Sequence, residues 1–228
     1  MPEKYATRVT WVKQKECHLC GPVVAQMILA ALNVAAPAGG SWQEGLWEDV
    51  KAQTRAQLPR GGTKVGCCKN FAKQKCERCP NDQDHYCWCA TPAALSRVLN
   101  LYAAGRPYKV ISSRADNRDS ADVRATIEIL ETIDSGLPAA VLVRGWQHWV
   151  VVEGYQHDEA DSRPVGKVNL SGLYIRDGDE NEALHFVKSK KWFEDWFSVV
   201  PCGGLYKNRC VVVGAKPSYV ALAGNGGS

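Results

Sequence analysis

The run "CGPVVAQMILAAL", from Cys20 to Leu32, limits the folds open to this chain more than any other segment. Its apolar residues follow one another almost without interruption, which is typical of a helix that is buried on all sides. Pro22 stands in the first turn, where its missing N–H costs no hydrogen bond. The run is shorter than the roughly 18 apolar residues that a membrane span needs. It therefore predicts a buried helix around which a globular domain packs.

The order of the remaining elements predicts the fold class. Helical patterns dominate up to about residue 105 and strand patterns follow, which favours an α+β protein of two lobes that share a cleft. With 228 residues, of which 45% are apolar, the chain suits one unit with a sizeable core. We expect a single domain over 1–228, with a helical lobe at 1–105, a β-rich lobe at 106–220 and a flexible tail at 221–228.

Periodicity and turn residues predict the individual elements. Helices are expected at "SWQEGLWEDVKAQT", "TPAALSRVLNLY", "SADVRATIEILETIDSG" and "SKKWFEDWFSVV". Thr91 and Pro92 mark the start of the second of these, and Gly136 marks the end of the third. Strands are expected at "YKVISS", "LPAAVLVRG", "HWVVVEGYQ", "SGLYIRDGDE" and "NRCVVVGAK".

The charge and hydropathy patterns indicate which classes of binding partner are expected. The net charge of +4 is spread along the chain without a basic run or basic–aromatic interleaving, so no nucleic-acid partner is expected. No apolar stretch is long enough for a membrane span, and "MPEKYATRVTW" lacks the apolar core of a secretory signal. We expect no membrane partner, and the sequence leaves open a cytoplasmic location or export by a non-classical route.

Cysteines are concentrated in one insertion at 66–90, which has no periodicity and needs cross-links or a metal to be ordered. The chain has ten cysteines, and the six in this insertion are Cys67, Cys68, Cys76, Cys79, Cys87 and Cys89. Two closely spaced pairs, with His85 as an alternative ligand, predict a structural zinc site at Cys76, Cys79, Cys87 and Cys89. Disulfides among the six are an equally good interpretation.

Two other cysteines flank the segment "GGLYKNR", which suits a hairpin turn. Cys202 and Cys210 either pair across this turn or serve as small apolar residues in strands. The sequence does not decide between the two interpretations.

A cysteine at a helix start has the position that thiol catalysis requires. The thiolate is the nucleophile, and a helix N-terminus and a neighbouring imidazolium both lower the pKa of a thiol. Cys20 meets the first condition, and a distant histidine brought close by folding must meet the second. Among five histidines His148 is the best candidate, because it begins a β-rich run between Trp146 and Trp149. The alternative is an ordinary hydrogen-bonded strand histidine.

A base histidine needs a third group to fix its tautomer, and acyl transfer needs donors for the oxyanion. Asp177 follows the predicted strand "LYIR" and is our candidate for the third group, with Asp179 and Asn169 as rivals. Asp177 and the following glycine are also a common turn pair. The candidate oxyanion donors are the Cys20 N–H and the side-chain amide of Gln14.

These residues carry a family resemblance. The stretch from Gln14 to Cys20, with Cys17 between them, resembles the Q-x-x-C-x-x-C opening of papain-like cysteine peptidases. "CGPVVAQMIL", "HWVVVEGY" and the aspartate after "LYIR" look more like the bacterial bacteriocin-processing, double-glycine peptidase branch. The likeness covers 14–33 and 137–178 and not the cysteine insertion. It implies a papain-like fold, a Cys-His-Asp triad with a Gln oxyanion donor, no cofactor for catalysis, and a disulfide from Cys17 to a downstream cysteine.

The function expected from this resemblance is hydrolysis of peptide bonds in a peptide or protein substrate. Two alternatives stay open at this point. The same groups can pass an acyl group to an amine, as in a transglutaminase-like acyltransferase. The chain can instead be a non-enzymatic, zinc-stabilised interaction module in which Cys17, His18 and Cys20 join the cysteine cluster as ligands. The sequence gives no oligomeric state.

Overall fold

The computed structural model of the chain describes most of the two predicted lobes and leaves out the cysteine insertion. The described residues are 3–15, 19–35, 42–55, 90–103, 107–114, 118–144, 148–159, 161–180, 184–197 and 209–215. Cys17, His18, His85, Cys202 and the six cysteines of the insertion lie outside these ranges. The zinc site, the disulfide from Cys17 and the tail at 221–228 therefore remain predictions from the sequence.

Helices occupy the first half of the chain and strands most of the second. The helices are α1 (Cys20–Ala31), α2 (Trp42–Arg55), α3 (Pro92–Tyr102), α4 (Arg118–Asp134) and the short α5 (Ser189–Lys191), which continues as a π-helical turn at Trp192–Trp196. The strands are β1 (Glu3–Tyr5), β2 (Tyr108–Arg114), β3 (Ala139–Val143), β4 (His148–His157), β5 (Arg163–Val165), β6 (Val168–Arg176), β7 (His185–Lys188) and β8 (Arg209–Ala215). This arrangement confirms the predicted α+β class.

The predicted helix ends follow the local chemistry of the sequence. The Thr91 hydroxyl accepts a hydrogen bond from the Ala94 N–H at 3.2 Å and caps α3, with Pro92 at its first position. Gly136, with a φ of 80°, ends the turn that follows α4. Helix α1 differs, because its N-cap residue Leu19 makes no side-chain capping hydrogen bond.

All the strands pair antiparallel in one sheet. The order is β2-β8-β3-β4-β6-β5, with β7 on β6, and β1 on the part of β4 beyond β3. Alternate residues of β3 face opposite sides: Ala140 and Leu142 join the core around α1 and α3, whereas Ala139 and Val141 join the core with α4. Central strands that are buried on both faces read as continuous apolar runs, which is why "AAVLV" has no polar alternation.

Some parts of the sheet were not predicted. Three short strands, β1, β5 and β7, have no recognisable pattern in the sequence. The strand β1 has only three residues, all of them exposed. It is held by backbone pairing between Glu3 and Gln156 and between Tyr5 and Gly154. Pairing with a distant strand decides such elements more than local propensity does.

Two cysteines lie in the described ranges, Cys20 and Cys210, and both are buried. Cys210 packs on β8 in the core with α4. This position agrees with the interpretation of Cys210 as a small apolar residue in a strand, and Cys202 lies outside the described residues. Burial raises the pKa of the Cys210 thiol to about 12, and the nearby Asp122 carboxylate adds to this effect.

The described ranges contain no candidate metal cluster and no candidate membrane span. No group of three or more His, Cys, Asp or Glu side chains that could hold a metal ion occurs in the part of the chain that the structure describes. Among the same residues, no helix is both long enough and apolar enough to cross a membrane.

Candidate active site

The sheet brings the candidate base and the candidate acid to one end of two neighbouring strands. Strand β4 begins at His148, and the antiparallel strand β6 ends at Arg176, which pairs with Val151. Asp177 follows β6 directly and so lies beside the first residues of β4. Residues that are remote in the sequence become neighbours because one strand starts where the other ends.

His148 and Asp177 form a close ionic hydrogen bond. The His148 Nε2 atom lies 2.6 Å from the Asp177 Oδ1 atom, and the aspartate side chain is completely buried. The imidazole is largely buried as well, with 12% of its side chain exposed. A carboxylate in this position fixes the ring orientation and favours the charged imidazolium.

Cys20 contacts the same imidazole from the other side. The thiol shares a hydrogen bond with His148, and because Asp177 occupies Nε2, the remaining ring nitrogen Nδ1 is the one available to sulfur. Cys20 is buried and is the first residue of α1. Because Cys20 is the first residue of α1, it lies at the positive end of the helix dipole. The structure therefore brings Cys20, His148 and Asp177 together in that order.

The electrostatics of the site favour ionised groups. Burial lowers the pKa of His148, but the hydrogen bonds that the ring donates to Asp177 and Cys20, together with their charges, outweigh it and raise the pKa to about 10. Burial likewise raises the pKa of Asp177, and the His148 hydrogen bond and charge, the Asp179 N–H and the Arg144 guanidinium together hold it below its usual range. At neutral pH the site therefore contains an imidazolium beside a carboxylate.

Asp179 and Asn169, the other candidates for the third group, make different contacts. The Asp179 N–H donates a hydrogen bond to Asp177 Oδ1 at 2.9 Å, so this residue supports Asp177. The Asn169 carbonyl accepts from the Asp158 N–H at 2.8 Å, near the start of β6 and the end of β4. Asn169 is thus at the opposite end of the sheet from His148.

Gln14 lies on a segment without regular secondary structure that contacts the loop of Asp177. It is buried, and its N–H donates to the Gly178 carbonyl at 2.7 Å. Three residues earlier, the indole N–H of Trp11 donates to the Asp177 carbonyl at 2.8 Å. Gly178 has room for no side chain, since a Cβ there would lie 2.5 Å from a methyl group of Val23 in the first turns of α1. The Gln14 backbone is therefore adjacent to the α1 start and to the Asp177 loop.

A third strand contributes a charge that the sequence analysis missed. Arg144 follows β3 with a φ of 51°, and its guanidinium lies 3.9 Å from Asp177 Oδ2 and 2.8 Å from Glu180. It also stacks over the Trp196 ring at 4.6 Å. An arginine after an apolar strand is common in any sheet, so "LVRG" gave no signal for this role.

The residues that follow Cys20 and His148 both contact Ala90, the last residue of the cysteine insertion. The Trp149 indole N–H donates to the Ala90 carbonyl at 2.9 Å. Gly21 packs directly against the Ala90 methyl group. The end of the insertion is thereby fixed next to Cys20 and His148.

Comparison with known proteins gave structural similarities and no sequence match. No family model matches this sequence, and no curated protein is similar to it. One similar structure is a double-glycine-motif protease from an AMS/PCAT transporter, solved in complex with the leader peptide. It has 11% identity and a TM-score of 0.42, and the match covers 94% of this chain and 99% of that one.

Another similar structure is the peptidase domain of Streptococcus ComA, a bifunctional ABC transporter involved in quorum sensing. Its identity is 14% and its TM-score is 0.44, and the match covers 91% of this chain and 98% of that one. A double-glycine peptidase is thus among the structures similar to this chain, as the motifs in the sequence predicted.

Proposed function

We propose that this chain is a cysteine peptidase that cleaves peptide bonds through Cys20, His148 and Asp177. One observation carries the proposal: a buried thiol at the start of a helix is hydrogen-bonded to an imidazole, which in turn is hydrogen-bonded to a buried carboxylate. Nucleophile, base and orienting acid in mutual contact are the signature of activated-thiol catalysis. A peptide substrate is expected from the family resemblance of the sequence.

The first half of the reaction forms a thioester. The Cys20 thiolate adds to the carbonyl carbon of the scissile bond, and the carbonyl oxygen takes up the negative charge. The Cys20 N–H and the Gln14 side-chain amide donate to this oxyanion. When the tetrahedral intermediate collapses, the C–N bond breaks, and the departing amine takes a proton from the His148 imidazolium.

The second half releases the acyl group. Neutral His148 accepts a proton from water, and the resulting hydroxide adds to the thioester carbonyl. Collapse of this intermediate breaks the C–S bond and yields a carboxylic acid. The Cys20 thiolate and the His148 imidazolium are restored, and Asp177 holds the ring in one orientation throughout.

The test is brief labelling with iodoacetamide near pH 6, followed by peptide mapping. At this pH an ordinary thiol of pKa about 8.5 is less than about 1% ionised. We expect Cys20 to react about 100-fold faster than such a thiol, and the advantage to be lost in His148→Ala. Cys210 serves as the internal control, because its burial and raised pKa keep it unreactive.

Two outcomes contradict the proposal. In the first, Cys20 is labelled as slowly as Cys210 in the native protein. In the second, His148→Ala labels Cys20 as fast as the wild type does, which shows that the histidine does not maintain the thiolate. Circular dichroism of the variant establishes that it retains its fold, so that any lost reactivity is assigned to the missing imidazole.

A further inference from the structure

The segment that carries Gln14 has no regular secondary structure. Residues 8–14 belong to no helix or strand, although Val9 and Gln14 are buried. Buried backbone N–H and C=O groups need partners, and this segment has no ladder of its own to provide them. Its conformation therefore depends on individual hydrogen bonds from neighbouring elements.

Gln43, at the start of α2, provides two of these bonds. Its Nε2 donates to the Lys13 carbonyl at 2.8 Å, and its Oε1 accepts from the Lys15 N–H at 3.2 Å. The side chain therefore bridges the backbone on the two sides of Gln14. The Gly178 carbonyl accepts from the N–H of Gln14 itself.

Burial makes the two bonds of Gln43 necessary. Only 4% of Gln43 is exposed. Burying an amide without hydrogen-bond partners is unfavourable, so the side chain has a strong preference for the one backbone geometry that satisfies both of its ends. An apolar residue would fill the same space without selecting that geometry.

From these contacts we propose that Gln43 is a positioning residue for the oxyanion donor Gln14. The inference rests on the proposed function, since it assigns Gln43 a role in the same site. By fixing the Lys13 carbonyl and the Lys15 N–H, Gln43 fixes the direction in which the Gln14 side chain leaves the backbone. An oxyanion donor works only within about 2.7–3.1 Å of the developing charge. A displacement of about 1 Å therefore costs up to about 100-fold in rate.

The experiment separates two reactions of the same thiol. Acylation of Cys20 by p-nitrophenyl acetate passes through an oxyanion and releases p-nitrophenolate, which is measured in the first turnover. Alkylation by iodoacetamide displaces iodide without an oxyanion. Gln43→Met keeps the length of the side chain and removes both hydrogen bonds. We expect acylation to slow by about 10- to 100-fold and alkylation to change by less than about twofold.

Asn100 offers a matched control. Its side-chain amide also makes two hydrogen bonds to the backbone: it donates to the Tyr108 carbonyl at 2.8 Å and accepts from the Tyr108 N–H at 2.7 Å. Asn100→Leu removes this bridge between α3 and β2 while leaving the candidate site intact. We expect both reactions of this variant to proceed at the wild-type rate.

A double variant tests whether Gln43 acts on acylation through Gln14. Because Gln43 acts through Gln14, adding Gln43→Met to Gln14→Ala should slow acylation no further. Gln43→Leu, which also removes both hydrogen bonds without burying a charge, gives a second variant if Gln43→Met does not fold. It too should slow acylation more than alkylation.

Several results would overturn the inference alone. One is a Gln43→Met variant that is acylated at the wild-type rate, and another is one in which acylation and alkylation slow equally. The others are an Asn100→Leu variant in which acylation slows as much as in Gln43→Met, and a Gln14→Ala/Gln43→Met variant in which the two effects on acylation are fully additive. A wild-type protein in which Cys20 alkylates slowly would instead overturn the proposed function, and this inference with it. The alkylation rate of the wild type thus distinguishes the two failures.

Discussion

At the residue scale, the paired charges of His148 and Asp177 decide how the molecule responds to pH. The folded pKa of His148, about 10, lies above its unfolded value of about 6.5. Its contribution to stability is therefore fully present below about pH 6.5 and is lost as the pH rises towards 10. The pKa of Asp177 is lowered, so its contribution is present above about pH 4 and is lost as the pH falls through the folded value.

The pair is accordingly most stabilising between about pH 4 and pH 6.5. Because the Cys20 thiol also titrates, both proteins of the comparison carry Cys20→Ser: we expect the free energy of unfolding of Cys20→Ser, relative to Cys20→Ser/His148→Gln, to be greatest in this window. Above pH 6.5 the difference should fall by up to about 1.4 kcal/mol per pH unit until the folded pKa of His148 is reached. Urea unfolding of both proteins at pH 5.5, 7 and 8.5 measures it, and a difference that stays constant over this range would show that His148 is not held as an imidazolium.

The candidate residues differ in how far the sequence revealed them. Cys20 and His148 were predicted because a cysteine at a helix start and a histidine at a strand start carry chemical information by themselves. Gln43 was not predicted, since a glutamine in an amphipathic helix usually faces solvent and its burial depends on the distant segment 13–15. The role of Arg144 depends on the position of a strand that local sequence does not specify.

At the scale of elements, a buried ion pair joins the strand that carries His148 to the strand that precedes Asp177. Arg176 on β6 donates to both carboxylate oxygens of Glu153 on β4, at 3.0 Å each. The Val9 N–H donates to the same carboxylate at 3.1 Å. The register shifts between Val152 and Gly154, so Glu153 is the extra residue of a bulge in β4. Three segments of the site therefore depend on one carboxylate.

Removing the Glu153 carboxylate should lower the stability of the fold. We expect Glu153→Ala to lower the free energy of unfolding by about 3–5 kcal/mol, because it leaves the Arg176 charge buried without a counter-ion. Glu48→Ala is the control: Glu48 pairs with Lys51 on the surface of α2, where 70% of its side chain is exposed. The loss there should be below about 1 kcal/mol. Equal losses in urea unfolding would contradict a structural role for the buried pair.

Sequence patterns predicted the long elements better than the short ones. The helices α1, α3 and α4 and the strands β3, β4 and β8 have enough periodic residues or clear end signals to be recognised. The strands β1, β5 and β7 have three or four residues each and form only by pairing with β4 and β6. The bulge at Glu153 has no local signature either.

At the scale of the whole molecule, the helices, the sheet and the end of the cysteine insertion meet at Ala90. Trp149 of β4 donates to its carbonyl, and Gly21 of α1 packs against its methyl group. Ala90 directly precedes the Thr91 cap of α3. This single small residue therefore joins three elements beside the candidate nucleophile.

Gly21→Ala tests the closeness of this junction. The new methyl group would overlap the Ala90 side chain, and relief of such overpacking costs about 1–3 kcal/mol. Gly45→Ala in α2 is the matched control, because no atom lies within 4 Å of its added Cβ. That change should leave stability unchanged or raise it by up to about 1 kcal/mol, since alanine favours a helix. Thermal unfolding of both variants compares them, and a neutral Gly21→Ala would show that the junction is loose.

The strand order also governs when the thiol becomes reactive during synthesis. Strand β8, formed by residues 209–215, lies between β2 and β3 in the interior of the sheet. A ribosome therefore releases Cys20 long before the strands that position His148 and Asp177 have all their neighbours. We expect a nascent chain that ends before β8 to expose Cys20 as an ordinary thiol.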